Sequence, residues 1–463
     1  MRLLYTRDLT MREFWDDDIP SYGILSHTWE EEEVSFQDIG DLEKASRLKG
    51  FQKIKRCCDL ARNELGILEW VWIDTCCIDK SSSAELSEAI NSMFRYYQNA
   101  VKFYAYLADV PSNDNVRSAD SAFVYSRWFT RGWTLQELIA SKRVFFYSQD
   151  WVQLGSRYDL CAQIASITGI AAEVLVGAEQ SPTKDFRTSS IAQRMSWASK
   201  RRTTRLEDIA YCLMGLFDVN MPLLYGEGTK AFLRLQEEIL KRSNDNTLFA
   251  WHILPVIKTP DASWGWKQTE VEAIGTGGFL APNPSAFRYS DPYMAINNTN
   301  AGIGHPYTMT NMGLCIDLPI FPIPSGRDGQ CVAVLNCVSS LDVQGTLSDL
   351  IGIHVTVTQS SQETHLSKRV FVVVRDPFQR PIRLRVTGWS SLDSQRWAVV
   401  EWNPRFGPGL GQPLPVKAFV STLYIPQHEP FRAGKDEKTT LGLRQRTHVF
   451  QSVADKKDAQ YFS

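Results

Sequence analysis

The chain has 463 residues, 43% of them hydrophobic, and its 50 basic residues nearly balance its 52 acidic ones, for a net charge of −2. This length predicts two or three domains, and the balanced charge argues against nucleic acid or an anionic membrane as a partner. Charges interrupt the segment from Met1 to Asp8, so it lacks the apolar core of a signal peptide. No later run reaches the ~18 apolar residues of a membrane span. We therefore expect a cytoplasmic protein with no membrane span.

The region from Tyr22 to Trp151 alternates short β-rich runs with longer stretches of helical period. This pattern predicts an α/β fold in which helices cross over a parallel sheet. A helix is predicted to begin near Ser83, with that hydroxyl as its cap, and to carry one apolar stripe that covers a sheet face. Four strands are predicted, namely Tyr22–Ser26, Trp70–Asp74, Val101–Leu107 and Val144–Tyr147.

A second region, from Ile191 to Leu248, has helical period. Thr204 and Glu207 have the spacing of a capping box and predict a helix start there. A break at Tyr225-Gly226-Glu227-Gly228 precedes a second amphipathic helix, which carries Phe232, Leu235 and Ile239.

After about Trp251, proline and glycine become frequent and β-type runs dominate, which predicts a separate and largely antiparallel β domain. We expect three domains: 1–170, an α/β domain; 171–250, a helical extension packed on it; and 251–463, a β-rich domain of unassigned role. The predicted strands of the last are Cys331–Val338, Ile351–Val357, Val370–Val374 and Trp397–Trp402.

The nine cysteines include two adjacent pairs, Cys57-Cys58 and Cys76-Cys77, and none has the CxxC spacing of a zinc site. Their odd number and this spacing favour reduced thiols packed in a core over disulfides. We expect no metal site.

Three segments place polar side chains just after predicted strands, where open α/β sheets bind ligands. The first contains Ser26, His27, Thr28 and Trp29 and continues into four glutamates, Glu30 to Glu33. The second runs from Trp72 to Lys80 and contains Asp74, Cys76, Cys77 and Asp79. The third is Ser126-Arg127-Trp128-Phe129-Thr130-Arg131-Gly132-Trp133-Thr134-Leu135-Gln136-Glu137-Leu138.

Three blocks that overlap these segments, Tyr22–Trp29, Trp72–Asp79 and Arg131–Leu138, resemble in their order and spacing the fungal heterokaryon-incompatibility (HET) domain. The likeness covers about residues 22–151, and the stretch from Arg194 to Gly228 is similar to what often follows such domains. The resemblance implies a role in vegetative incompatibility, the programmed death that follows fusion of genetically unlike fungal cells.

The HET domain is similar, more remotely, to the Toll/interleukin-receptor (TIR) domain, which implies a TIR-like, flavodoxin-like sheet here. In catalytic TIR domains a helical glutamate after a Trp-Cys-x-x motif supports cleavage of NAD. The segment Trp133 to Leu138 has that spacing with Thr134 in place of the cysteine, so the resemblance assigns the catalytic role to Glu137. It implies NAD as a candidate substrate and no tightly bound cofactor.

The types and spacing of these residues are suited to this chemistry without reference to the family. Trp133 and Glu137 are four positions apart, so they share a helix face where the ring can desolvate the carboxylate. A carboxylate stabilises the oxocarbenium-like state of glycosidic bond cleavage. The candidate ligand contacts around Glu137 are Ser26, His27, Thr28, Trp29, Asp74 and Trp133.

Plainer readings stay open for several of these residues. A tryptophan and a glutamate on one helix are commonly a packing residue beside an exposed acid, Asp74 and Asp79 could cap a loop, and His27 could be structural. The run Glu30 to Glu33 is interpreted as a solvated loop face that could also repel a wrongly charged ligand or help self-assembly. The run Lys200-Arg201-Arg202, with Arg205, could be a nuclear signal or a phosphate site, but the balanced charge of the chain favours a solvated helix start.

The segment Gly226-Glu227-Gly228-Thr229-Lys230 lacks the GxxxxGK[ST] spacing of a phosphate loop, which argues against a nucleotide triphosphatase. Two functions remain: a cell-death effector that cleaves NAD, or a non-enzymatic module that self-associates and recruits an executor. Both involve self-association through the HET domain and an unidentified protein partner or trigger.

Overall fold

The computed structural model describes residues 1–63, 68–176, 185–253, 278–296, 307–311, 313–323, 329–340, 350–362, 369–375, 379–392, 395–402 and 415–425. It divides into two compact units. The first comprises residues 1–254, 280–298 and 336–346, and the second comprises residues 255–279, 299–335 and 347–463.

The first unit is built on a seven-stranded sheet with the strand order β2-β1-β4-β3-β5-β6-β7. The four central strands run parallel, as predicted, and β1, β2 and β7 add antiparallel edges that were not predicted. Taken in chain order, the parallel strands lie 2-1-3-4, which matches the start of the flavodoxin-like order. The strands are β1 (Arg2–Tyr5), β2 (Met11–Glu13), β3 (Tyr22–His27), β4 (Trp70–Ile73), β5 (Lys102–Tyr106), β6 (Val144–Tyr147) and β7 (Gln153–Ser156).

The central strands are rich in branched and aromatic residues because both faces of the parallel sheet are covered. All six residues of β3 are buried, as are the middle three of β5. The α-helices of this unit are α1 (Phe36–Ile39), α2 (Leu42–Ala45), α3 (Gly50–Asn63), α4 (Ser83–Asn99), α5 (Trp133–Ala140), α6 (Cys161–Thr168), α7 (Ala172–Val176), α8 (Ile191–Ala198), α9 (Asp208–Tyr211), α10 (Met214–Phe217) and α11 (Lys230–Leu240).

Two helix starts differ from the sequence prediction. The cap of α4 is Ser82, whose side chain accepts the backbone N–H of Glu85, and Ser83 is the first helical residue. The predicted capping box at Thr204 and Glu207 is wrong, because α9 begins after Glu207 without a side-chain cap. The carboxylate of Glu207 instead accepts the backbone N–H groups of Gly226 and Gly228, at 2.8 and 2.9 Å.

The second unit is β-rich and its described pairings are antiparallel apart from the β13–β16 pair. Its strand order is β13-β12-β14-β15-β16-β10-β11, and β9 pairs with β10. The last residues of β11 belong to the first unit, where they pair with β8. The remaining described strands are β8 (Tyr293–Ala295), which belongs to the first unit, and β9 (Thr308–Thr310), β10 (Gly313–Pro322), β11 (Gln330–Ser339), β12 (Leu350–Gln362), β13 (Arg369–Arg375), β14 (Ile382–Leu392), β15 (Gln395–Trp402) and β16 (Pro415–Ile425).

Helix α10 packs closely on α4 because Gly215 has no side chain. A Cβ at Gly215 would lie nearer to the Cβ of Phe94 than two unbonded carbon atoms can approach. Gly215→Ala should therefore lower the free energy of unfolding by about 1–3 kcal/mol through overpacking, measured by urea denaturation.

Gly40→Ala is the matched control for this substitution. Gly40 has right-handed helical backbone angles, and a Cβ there would meet only the carbonyl oxygen of Gln37, at 3.7 Å. We expect a change within about 0.5 kcal/mol. Equal effects of the two substitutions would show that the α4–α10 contact tolerates a methyl group.

Candidate functional site

The side chain of Glu137 is buried inside the first unit and joins α5 to the central strand β3. Its residue exposure is 7%, and the hydroxyl of Ser26, at the end of β3, donates a hydrogen bond to its Oε2. The hydroxyl of Tyr97, on α4, makes a second hydrogen bond to the same carboxyl. The structure thus brings Ser26 and Glu137, 111 residues apart in the chain, into direct contact.

Burial changes the acidity of this carboxyl. Desolvation raises the pKa of Glu137 to about 8, and the negative charge of Asp74 adds to the rise, while the hydrogen bonds from Ser26 and Tyr97 lower it. The neutral, protonated acid is therefore the major form at pH 7. A buried carboxyl with so perturbed a pKa is a functional-site candidate on physical grounds.

The tryptophan in this network is Trp128, which the sequence analysis did not single out. Its indole N–H donates to Ser26 Oγ at 2.8 Å, so Ser26 accepts from Trp128 and donates to Glu137. The side chain of Trp133, the predicted neighbour of Glu137, instead hydrogen bonds Asp208 on α9. Trp128 lies within the third of the three polar segments, and that position is the signal that could have identified it.

The other predicted site residues form a second cluster next to the first. The indole N–H of Trp29 donates to Asp74 Oδ2 at 2.8 Å, and Lys80 Nζ lies 3.6 Å from the centre of the Trp29 ring. Thr28 is buried, whereas Trp29 is 45% exposed. Trp29 is thus the predicted ligand contact that is most accessible to solvent.

His27 lies between two carboxylates without a hydrogen bond to either ring nitrogen from any residue that the structure describes. Its Nε2 is 3.7 Å from Glu33 and its Nδ1 is 3.9 Å from Asp74. Burial, and then the positive charges of Lys53 and Lys80, hold the pKa of His27 far below its ordinary value. The ring is therefore neutral at pH 7.

A cleft of about 1080 Å³ opens beside Trp29, at the carboxyl ends of β3, β5 and β6. Ligand binding is predicted from the sequence at this edge of the sheet. Its walls carry both signs of charge and the stacked rings of Tyr106 and Trp151, whose centroids are 4.6 Å apart. Glu137 does not line it. The lining includes Trp29, Glu30, Glu31, Glu33, Lys53, Arg56, Tyr106, Arg127 and Trp151.

Two polar segments have structural roles in the folded chain. Asp79 accepts hydrogen bonds from the backbone N–H and the hydroxyl of Ser81, so it caps the loop before α4. Glu33, in the run of four glutamates, accepts from Lys53 Nζ at 2.6 Å and from the backbone of Glu30. Part of that run is therefore paired within the fold.

All nine cysteines lie in the described part of the chain, and none of them forms a disulfide. Among the described residues, no group of histidine, cysteine, aspartate and glutamate side chains has the arrangement to hold a metal ion. No helix among the residues with described structure is both long enough and apolar enough to cross a membrane.

Comparison with known families covers the part of this site that lies before residue 118. Residues 22–118, from β3 through β5, match the family model of the heterokaryon incompatibility protein (HET), so the chain carries a HET domain. Residues 230–336 match a domain of unknown function (DUF8212). The resemblance seen in the sequence motifs is thereby confirmed for the HET domain.

The chain also matches an individual protein. Over 230 residues, or 48% of its length, the chain is 50% identical to the vegetative incompatibility protein HET-E-1 of Podospora anserina. It spans only 16% of that relative. No solved structure matches the chain.

The raised pKa of Glu137 predicts a pH dependence of stability. The unfolded carboxyl ionises near its ordinary pKa of 4.5, whereas the folded one keeps its proton up to about 8. Between these pH values the folded state binds more protons, so the free energy of unfolding falls as pH rises, by at most about 1.4 kcal/mol per pH unit. Above pH 8 this contribution is constant.

Glu137→Gln mimics the neutral acid and should abolish this component without unfolding the protein. Urea denaturation followed by tryptophan fluorescence, from pH 5 to pH 9, measures it as the difference between wild type and variant. The variant should gain stability relative to wild type up to about pH 8. Parallel curves for the two proteins would contradict a proton held by Glu137.

Proposed function

We propose that this chain is an effector or regulator of fungal vegetative incompatibility and the programmed cell death that accompanies it. The observation that carries the proposal is the 50% identity over 230 residues to a vegetative incompatibility protein. The HET domain match at residues 22–118 supports the same role. Because the chain spans a small part of that relative, the activity of the whole relative is carried over only as a proposal.

We further propose that the HET domain is TIR-like and cleaves NAD through Glu137. The flavodoxin-like order of the parallel strands supports the remote likeness to TIR domains. The perturbed carboxyl supports a chemical role, since breaking the bond between nicotinamide and ribose develops positive charge that a carboxylate stabilises.

The proposed substrate would enter from the cleft at the carboxyl ends of β3 and β5. Trp29 offers an exposed ring for stacking, and the charges of the cleft walls suit a ligand that carries both signs, as NAD does. Glu137 is enclosed by Ser26 and Tyr97, so substrate access requires these hydrogen bonds to open. Self-association through the HET domain is the proposed trigger for that change.

One observation favours a second candidate function, a non-enzymatic module that self-associates and recruits a cell-death executor. A buried acid that is satisfied by a serine and a tyrosine is also a sound structural element of a polar core. In that case Glu137 only stabilises the domain, and the surface of the domain makes the contacts of self-association and recruitment.

Incubation of the concentrated full-length protein with NAD separates the two functions. If Glu137 is catalytic, Glu137→Gln should reduce nicotinamide release by about 100-fold or more and abolish toxicity on expression in a fungal host. Glu43→Gln, at an exposed position on α2, is the control and should behave as wild type. No release from concentrated wild-type protein, with toxicity intact in Glu137→Gln, would establish the module instead.

The pH profile of nicotinamide release provides a further test. Stabilisation of developing positive charge needs the carboxylate, which forms only as pH passes the raised pKa of about 8. Release should therefore increase from pH 6, reach half of its maximum near pH 8 and level off about one pH unit higher, measured at saturating NAD. A rate that is flat over this range would mean that the ionisation of Glu137 does not control the reaction.

A further inference from the structure

The side chain of Arg201 is buried, although the run Lys200-Arg201-Arg202 predicted a solvated helix start. Lys200 and Arg202 are exposed, as expected, but Arg201 is only 5% exposed. The prediction is therefore wrong for the middle residue. Burying an arginine costs free energy unless its charge is paired and its N–H groups form hydrogen bonds. The contacts of Arg201 must therefore offset that cost.

The backbone around Arg201 is docked on the segment that leads into α5. The N–H of Arg202 donates to the carbonyl of Thr130 at 2.7 Å, and the N–H of Gly132 donates to the carbonyl of Arg202 at 2.8 Å. A Cβ at Gly132 would lie 2.5 Å from a methyl carbon of Thr203, so the close approach depends on glycine there. Residues 201–203 thus lie against the start of the helix that carries Glu137.

The guanidinium of Arg201 holds the first turn of α5. Its Nη1 donates to the carbonyl of Arg131 and to the hydroxyl of Thr134, both at 2.9 Å. That hydroxyl lies 2.5 Å from the carbonyl oxygen of Trp128, the residue whose indole N–H donates to Ser26. A chain of hydrogen bonds therefore runs from Arg201 through Thr134 and Trp128 to the Ser26–Glu137 pair.

The charge of Arg201 acts on the same site. Burial lowers the pKa of Arg201 to about 10, while the nearby groups Cys212 and Glu137 raise it, so the guanidinium stays charged at pH 7. Its Nη2 has no hydrogen-bond partner among the described residues, which leaves part of that charge uncompensated. Because electrostatic coupling is reciprocal, the guanidinium in turn favours the ionised form of Glu137, and it does so beside Arg131, whose positive charge lowers the pKa of that carboxyl.

We propose that Arg201 is a positioning residue of the Glu137 site, which holds the first turn of α5 and adds a buried positive charge that, together with Arg131, favours the Glu137 carboxylate. This role makes the segment between α8 and α9 part of the site, although that segment, like Glu137 itself, lies outside the matched residues 22–118. The consequence for NAD cleavage rests on the proposed function, but the coupling between the two side chains does not.

A double-mutant cycle in the full-length protein tests the coupling without any turnover. The four proteins are wild type, Arg201→Met, Glu137→Gln and the double variant, each denatured with urea from pH 5 to pH 10. The difference in stability between a protein that keeps Glu137 and its Glu137→Gln counterpart reports the pH at which the buried acid ionises. In the Arg201→Met background that pH should move up by about half a unit or more.

Lys200→Met removes the neighbouring, exposed cation and is the control, so it should leave the ionisation of Glu137 unmoved. Arg201→Lys keeps a charge but loses the planar fork, so a smaller upward shift is expected; it also stands in if the methionine variant does not fold. An ionisation pH equal to that of wild type in every folded Arg201 variant overturns the proposal.

Nicotinamide release is the second readout, and it separates this inference from the proposed function. If wild type releases nicotinamide, the pH profile of Arg201→Lys should shift with the ionisation of Glu137, which a purely structural role would not produce. If wild type releases none, the NAD proposal fails while the coupling measured by the cycle still stands or falls by itself.

Discussion

The hydrogen bond from Ser26 to Glu137 is the contact on which the first unit depends. A carboxyl removed from water must either lose its charge or gather donors, and here it does both: it keeps a proton at neutral pH and binds two hydroxyl groups. Those hydroxyls belong to β3 and α4, while the carboxyl belongs to α5. Two hydrogen bonds to one carboxyl thereby hold together three elements that are far apart in the sequence.

The helix that carries Glu137 also connects the sheet to the helices after residue 190. Helix α5 has only eight residues, too few to be stable alone, and its first turn is held from outside by Arg201 and Arg202. The orientation of Glu137 is thus set by residues that come much later in the chain. A segment that looks like an appendage in sequence provides part of the support of the site.

The sequence predicted the four parallel strands and α4 well, because buried branched residues and a long apolar stripe are strong local signals. It could not predict the edge strands β1 and β7, which have four residues each and mixed burial. The neighbourhood of Ser26, Trp29, Asp74 and Glu137 was foreseen, since carboxyl ends of parallel strands meet at one edge.

Side-chain direction was the harder problem. Trp128 rather than Trp133 bonds Ser26 because a 3-10 turn at Arg127–Thr130 precedes α5, and helical spacing does not describe such a turn. Arg201 looked solvated because its two neighbours in the run are exposed, and only the docking of residues 201–203 reveals its burial. In both cases a tertiary contact overrides the local pattern.

In other proteins a glycine-rich loop before a helix can bind a phosphate, whereas the loop from Tyr225 to Gly228 binds a side chain of its own chain. Successive backbone N–H groups near a helix start attract an anion, and here the anion is supplied from within, by Glu207. Gly226 and Gly228 both adopt positive φ, and the N–H group of each donates to that carboxylate. The Glu207 carboxylate therefore occupies the anion-binding position of this loop, and an external anion would have to displace it.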